Sequence, residues 1–405
     1  MRHPLLLALA LTAASAPAQW QILDAHTTAD LRGIDNIGKG VVWASGTNGT
    51  ILRSEDDGYM WQGCTIPPGA EHLDFRGIQA FDNNTAIVMS SGKGDLSRLY
   101  KTIDGCQTWK LLFTNPDKDG FWDALVMTDG NIGMLIGDPI SSSSLVKGAI
   151  PGSPIFPTYH TIDGGSTWSR NDHERLVANA AREGTARESI FAASNSSFLL
   201  LPYSELFVTG GLAAALHYEQ YTFEHVPGLC PDESKCVVDQ QADSQMAKGD
   251  SAGGFSITAN WSLGSFSSSP ELRSRPSTAE PHMVVIVGGD YKMPEKPSGT
   301  ASSCLPTQHG VLMQFVCSAA HTPPHGYRSA VAYDAPTKTW ITVGPNGTDI
   351  SADDGRNWRP LKPSGNDTPD ADQHWNALSL PFAVGPHGRI GILNPAALEP
   401  TPTKQ

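Results

Sequence analysis

Apolar residues run through this chain in short stretches bounded by Gly, Pro, Asn and Asp, a pattern that predicts strands joined by tight turns. Three kinds of stretch recur in a fixed order. The first is an opener: Leu31-Arg32-Gly33-Ile34 and Phe75-Arg76-Gly77-Ile78, with the variants Phe121-Trp122-Asp123-Ala124-Leu125 and Tyr327-Arg328-Ser329-Ala330-Val331. The second is rich in small residues and ends on glycine, as in Val42-Trp43-Ala44-Ser45-Gly46, Met134-Leu135-Ile136-Gly137 and Trp340-Ile341-Thr342-Val343-Gly344. The third, for example Gly49-Thr50-Ile51-Leu52-Arg53, leads into a recurring octapeptide.

That octapeptide reads Ser/Thr-x-Asp-x-Gly-x-Thr-Trp and is known as an Asp-box. Its copies begin at Ser54 (Asp56, Gly58, Trp61), at Thr102 (Asp104, Trp109), at Thr161 (Asp163, Gly165, Trp168) and at Ser351 (Asp353, Gly355, Trp358). Cys106 replaces the usual glycine in the second copy. Asp and Ser/Thr side chains accept hydrogen bonds from the amides of their own turn, glycine supplies a positive φ, and Trp closes the turn against the core. Four copies in phase point to a repeat protein. With a strand after each box, every unit holds four strands, which makes it a propeller blade.

Units are expected near Leu31, Phe75, Phe121, Glu188, Gly253, Tyr327 and His374, giving an all-β, seven-bladed β-propeller with six or eight blades as the alternatives. The units at Glu188 and Gly253 keep glycine strands (Leu206 to Gly211, Val284 to Gly289) but have lost their boxes. The last unit lacks a fourth strand. Trp20-Gln21-Ile22-Leu23 is expected to supply it and close the ring. One propeller domain is expected over 19–393, with insertions at 141–157, 225–250, 262–281 and 292–310 and a proline-rich, disordered tail at 394–405.

Composition fits this picture: 40 glycines and 30 prolines among 405 residues, with only 17% charged. Residues 1–18 carry Arg2 and His3, an apolar run from Leu5 to Leu11 and Ala16-Pro17-Ala18, the pattern of a signal peptide cleaved after Ala18. The mature protein is therefore expected to be periplasmic or secreted, without a retained membrane anchor. A formal charge of -13 disfavours nucleic acid and anionic membrane surfaces as partners. The six cysteines of an exported chain are expected in disulfides. The most local pairing is Cys230 with Cys236 and Cys304 with Cys317, leaving Cys64 with Cys106 between neighbouring units.

The boxes and openers, together with Gly288-Gly289-Asp290-Tyr291 and Gly326-Tyr327-Arg328-Ser329-Ala330-Val331, resemble bacterial members of the photosystem II assembly and stability factor family. The resemblance covers nearly the whole mature chain. It implies an Asp-box seven-bladed propeller of the kind that binds newly made photosystem subunits in plastids and cyanobacteria, and similar propellers occur in bacteria without photosynthesis. Function is accordingly expected to be non-catalytic, as a protein-binding scaffold or assembly factor, with no cofactor. Sialidases share the box and supply the enzyme alternative, a glycoside hydrolase with an arginine triad and a nucleophilic Tyr. Their Phe/Tyr-Arg-Ile-Pro is absent, and the nearest matches repeat as openers. A quinone-dependent oxidoreductase is a third reading, with no residue set behind it.

First strands line a propeller's channel, so one opener position is expected to form a ring at its mouth. In register it carries Arg32, Arg76, Asp123, Glu188, Arg328 and Asn376, the place of Arg328 being open by one residue. This ring is the candidate binding site, against the simpler reading that its charges pair among themselves. Asp290 and Tyr291 join it as strand-end residues, with capping of the following insertion as the alternative. The box aspartates and tryptophans are expected to be structural, and no metal ligand set is expected from His321, His325 and His374.

Overall fold

The computed structural model describes residues 19–128, 130–141, 154–170, 175–176, 188–201, 204–222, 236–260, 283–309, 312–361, 363 and 367–398. Each repeat unit folds on itself as an antiparallel meander, and seven such sheets form a seven-bladed β-propeller with no α-helix among the described residues. Blade one comprises Leu31–Gly38, Val41–Gly46, Ile51–Ser54 and Gln62–Gly63. Blade two comprises Phe75–Ala80, Ala86–Ser90, Arg98–Thr102 and Lys110–Thr114. Blade three is built from Trp122–Met127, Gly133–Gly137, Thr158–Thr161 and Ser169–Arg170, and blade four from Phe198–Leu201, Ser204–Val208, Ala215–Thr222 and Cys236–Asp243. Gly249–Ala259, Val284–Asp290, Ala301–His309 and Leu312–Ala319 form blade five. Ala330–Asp334, Thr339–Gly344, Gly347–Ser351 and Arg359–Pro360 form blade six.

Blade seven takes Ala377–Ser379, Phe382–Val384 and Arg389–Leu393 from the end of the chain and its outer strand, Trp20–Asp24, from the beginning. The pairing runs from Trp20 opposite Leu393 to Asp24 opposite Arg389. Trp20 is buried against Trp375 at 4.9 Å and donates its indole N–H to Thr348 Oγ1 of blade six. Closure by the termini therefore ties the last interface as well as the last sheet.

Apolar side chains collect in seven clusters, one between each pair of neighbouring blades around the ring. Burial of both faces of every sheet is what makes the middle strands almost wholly apolar, as in Val284–Val287 and Ala86–Met89. The octapeptide tryptophans belong to these clusters: Trp61 packs toward blade seven, Trp109 toward blade one, Trp168 toward blade two and Trp358 toward blade five.

All four octapeptide turns share one hydrogen-bond pattern. Ser54 Oγ donates to Asp56 Oδ1 at 2.8 Å and accepts from Gly58 N–H at 3.0 Å, while Asp56 Oδ1 accepts from Met60 N–H at 2.9 Å. Thr102 with Asp104, Thr161 with Asp163 and Ser351 with Asp353 repeat it, each pair at 2.9 Å. The glycine position has φ between 74° and 84° in three copies and 63° at Cys106. Cys106 accepts that conformation and spans to Cys64 of blade one in a disulfide. Cys304 and Cys317 are joined directly across the two outer strands of blade five, and Cys230 lies outside the described residues.

Two placements differ from the sequence reading. The fourth blade starts at Phe198, because Glu188–Ser189 forms a separate short strand that pairs with Gly210–Gly211 and leads onto blade five. Within the expected insertions, 236–243 and 301–309 are blade strands. Residues 142–153, 225–235, 262–281 and 310 of those insertions lie outside the described residues.

Candidate functional site at the channel mouth

Chain direction alternates within a blade, so the turns that carry the octapeptides and the starts of the first strands lie on opposite faces. The starts converge on the channel. In blades one, two, three and five the ladder skips one residue there, at Arg32, Arg76, Asp123 and Phe255. Such a bulge re-aims the extra side chain out of the pleat. Counting back from the ladders of blades six and seven puts Ser329 and Asn376 at the equivalent level. A cleft of about 430 Å³ opens there, with Arg32, Arg76 and Asn376 among its lining residues and an aromatic wall of Phe191, Phe255, Tyr291 and Tyr327.

The two arginines are held differently. Arg76 Nε donates to Asp74 Oδ2 at 2.8 Å, and its Nη1 donates to the carbonyl of Ala192 at 3.0 Å. Arg32 lies 3.8 Å from Asp74 and 4.0 Å from Asp30, and has no hydrogen-bond partner among the described residues. Both guanidinium side chains remain a little over a quarter exposed, at 29% and 28%. The opening is thus of mixed charge, two partly exposed guanidiniums with Asp74 and Asp30 beside them. Asn376 donates to the carbonyl of Leu31 at 2.8 Å, fixing blade seven against blade one beside that opening.

Two members of the expected ring sit elsewhere, and a third is covered. Arg328 is one residue out of register: it is fully buried, with Nε donating to Asp349 Oδ2 at 2.9 Å and Nη1 donating to the carbonyl of Tyr327 at 2.7 Å. Glu188 is turned into the body of the protein, where its carboxylate meets His217 Nε2 at 2.6 Å and accepts from Thr209 Oγ1 at 2.9 Å. Asp123 keeps the ring position but is roofed over, and neither carboxylate oxygen makes a well-formed hydrogen bond. Burial, and next the charge of Asp138, push its carboxyl far up. Asp290 accepts from Ser251 Oγ at 2.7 Å and from Lys292 N–H at 3.0 Å, so it caps the turn after its strand, and Tyr291 alone of that pair faces the cleft. His325 rests on Asp349 and His321 on Asn357, at separate places.

What roofs Asp123 is the chain itself. Asn195 clamps both backbone groups of Leu125 in blade three, Ser196 Oγ meets Ser256 Oγ of blade five at 2.7 Å, and Ser194 Oγ donates to Ser329 of blade six at 2.8 Å. With Ala192 on Arg76 of blade two, the connection into blade four spans the channel as a plug. The sequence reading missed Phe255, whose opener Gly253-Gly254-Phe255 matches the register of Asp30-Leu31-Arg32 without a charge to mark it. Phe191 was invisible for another reason, since it reaches the mouth from a connection rather than from an opener, and Tyr327 was read as the start of an opener without being placed at the mouth.

Titration of the channel carries a testable sign. Burial pushes Asp35 and Asp138 up to about 6, from an unfolded value of about 4. Folding therefore takes up protons between those values, and ionising either group above pH 6 costs stability that acid restores. Hydrogen bonds from turn amides and hydroxyls hold Asp56, Asp104 and Asp163 below the usual range, so their contribution is lost only as pH falls through those lowered values. Both channel acids keep some exposure, which discounts the gain to about 1–2 kcal/mol together. The thermal midpoint is expected to be higher at about pH 5 than at about pH 7.5 and to fall again below about pH 4. Calorimetry over that range checks this, with Asp35→Asn expected to shrink the rise.

The fold and mouth define a seven-bladed β-propeller with a plugged channel and an arginine-lined, aromatic opening on the face away from its repeat turns. Solved structures similar to it include YCF48 bound to a D1 peptide, 13% identical over 93% of this chain and 96% of the other with a TM-score of 0.51. They also include YCF48 from Cyanidioschyzon merolae, 16% identical over 93% and 99% with a TM-score of 0.52. The WD40 β-propeller domain of Doa1 is 10% identical over 94% and 97%, with a TM-score of 0.50. At these identities the likeness is one of fold. No family model matches the chain, and no curated protein matches it by sequence.

Proposed function

We propose that this protein is an exported, non-catalytic propeller that binds a protein or peptide at the channel mouth and serves as a scaffold or assembly factor. The observation that carries this reading is the juxtaposition, around one open cleft, of two partly exposed guanidiniums with an aromatic wall. Arginine and aromatic side chains dominate the energetics of protein recognition, and a carboxylate is the natural complement of paired guanidiniums. The similarity in fold to YCF48, solved with a D1 peptide, supports a peptide as the partner. Export is supported by the signal-like residues 1–18 and by the two disulfides. The sialidase alternative draws less support. Its triad needs three convergent arginines, and Arg328 is committed to Asp349, while Glu188 is turned away from Tyr291 and Tyr327.

A photo-crosslinking amino acid placed at Pro345 on the mouth, or at the exposed Ile162 on the opposite face, separates the two faces in cells that make the protein. Adducts with another polypeptide are expected from Pro345 and not from Ile162. Adducts from Ile162 alone would move the binding surface to the face of the repeat turns.

A further inference from the structure

Backbone from Glu188 to Ser194 crosses the mouth in the manner of a bound peptide. Its first residues pair as a short antiparallel strand, Glu188 with Gly211 and Ser189 with Gly210. Ile190 N–H then donates to Asp138 Oδ1 at 2.8 Å, and the carbonyl of Ala192 accepts from Arg76 at 3.0 Å. Between them the ring of Phe191 lies flat on Phe255, centroids 4.1 Å apart and planes 3° from parallel, while Tyr291 meets it edge-on at 6.1 Å and 77°. Tyr327 braces Phe255 from its own side at 4.8 Å. Gly210 forms the floor, where any side chain would overlap the Phe191 ring. Phe191 and Tyr291 are not fully covered, so this aromatic corner opens into the cleft.

We infer that the corner formed by Gly210, Phe255, Tyr291 and Tyr327 is a subsite for an aromatic side chain of a partner peptide, filled in this structure by the chain's own Phe191. The inference rests on the peptide-binding reading above and adds the chemistry of the residue recognised. A flat face and a perpendicular edge favour an aromatic ring over an aliphatic side chain of similar size. The two residues that follow are small: Ala192 is buried beside Asp123 with its carbonyl on Arg76, and Ala193 lines the cleft next to it. An extended segment of the form aromatic-small-small, entering by strand pairing to Gly210–Gly211 and by its carbonyl to Arg76, would take over each contact that Phe191 and Ala192 now make.

Phe191→Ala empties the subsite without touching the ring residues, and N-acetyl-Phe-Ala-Ala-amide is the probe. Being uncharged, it reads the corner independently of any carboxylate bound by the arginines. By saturation-transfer NMR the variant is expected to bind the probe about tenfold more tightly than the wild type does, and about tenfold more tightly than it binds the Leu-Ala-Ala analogue. Adding Phe255→Leu, which removes the flat ring face at similar volume, should abolish the gain. Equal binding of the two peptides, or no gain in a variant with wild-type circular dichroism, would overturn the inference. If Phe191→Ala proves unfolded, Phe191→Leu keeps most of the volume and is expected to show the same preference for the Phe probe at reduced size. Arginine-dependent capture of partners and aromatic selectivity can fail separately: loss of the first with the second intact sinks the scaffold reading alone.

Discussion

Replacing Arg328 by methionine is expected to lower the stability of the propeller by about 3–5 kcal/mol, read as a fall in the urea midpoint at unchanged m-value. Arg328 and Asp349 are both essentially inaccessible to water, with 0% and 1% of their side chains exposed. Burial pushes the Asp349 carboxyl up, but hydrogen bonds and charge from His325 and Arg328 outweigh it and hold the group below the usual carboxylate range. Removing the guanidinium leaves an ionised oxygen buried with only His325 against it. It also frees Asn346, which shares the arginine with the loop of blade five through Pro294. A second substitution, Asp349→Leu, removes the orphaned charge and is expected to recover most of the loss, since an apolar pair of similar volume can replace a buried ion pair. A double variant no more stable than Arg328→Met would mean that the cost lies in packing and not in the stranded carboxylate.

The same residue shows where the sequence could be read and where it could not. The openers of blades one and two carry Arg followed by Gly, and that glycine marks the bulge that turns Arg32 and Arg76 into the channel; Gly33 leaves no room for a side chain against Ser45. Tyr327-Arg328-Ser329-Ala330 has no such marker, and only the ladder from Ala330 opposite Val343 shows that Ser329, not Arg328, holds the channel level. The blade count was legible because each middle strand must bury both faces, and because turn chemistry repeats at Asp56, Asp104, Asp163 and Asp353. Closure by Trp20–Leu23 was legible for the same reason: blade seven had one strand too few. The fourth blade was misplaced at Glu188, where a short strand belonging to the plug precedes the true first strand. No local pattern could reveal the plug itself. Its contacts join residues as far apart as Ser194 and Ser329, 135 positions in sequence, and such pairings exist only once the ring is closed.

Arg32 and Arg76 should matter little to the fold and greatly to its use. Each is partly exposed, and neither fills one of the inter-blade clusters. Surface ion pairs such as those with Asp74 contribute about 1 kcal/mol or less. Arginines at the centre of a recognition surface, by contrast, cost 2 kcal/mol or more when truncated, so losing both is expected to weaken a carboxylate-bearing partner about 100-fold or more. The most direct measurement is a displayed-peptide library panned against the immobilised wild-type protein, with the enriched peptides then titrated against Arg32→Ala/Arg76→Ala. Enrichment of acidic peptides whose affinity collapses in a double variant of near wild-type thermal midpoint is the predicted result. Peptides that bind the double variant as tightly as the wild type would place recognition away from the mouth and contradict the account.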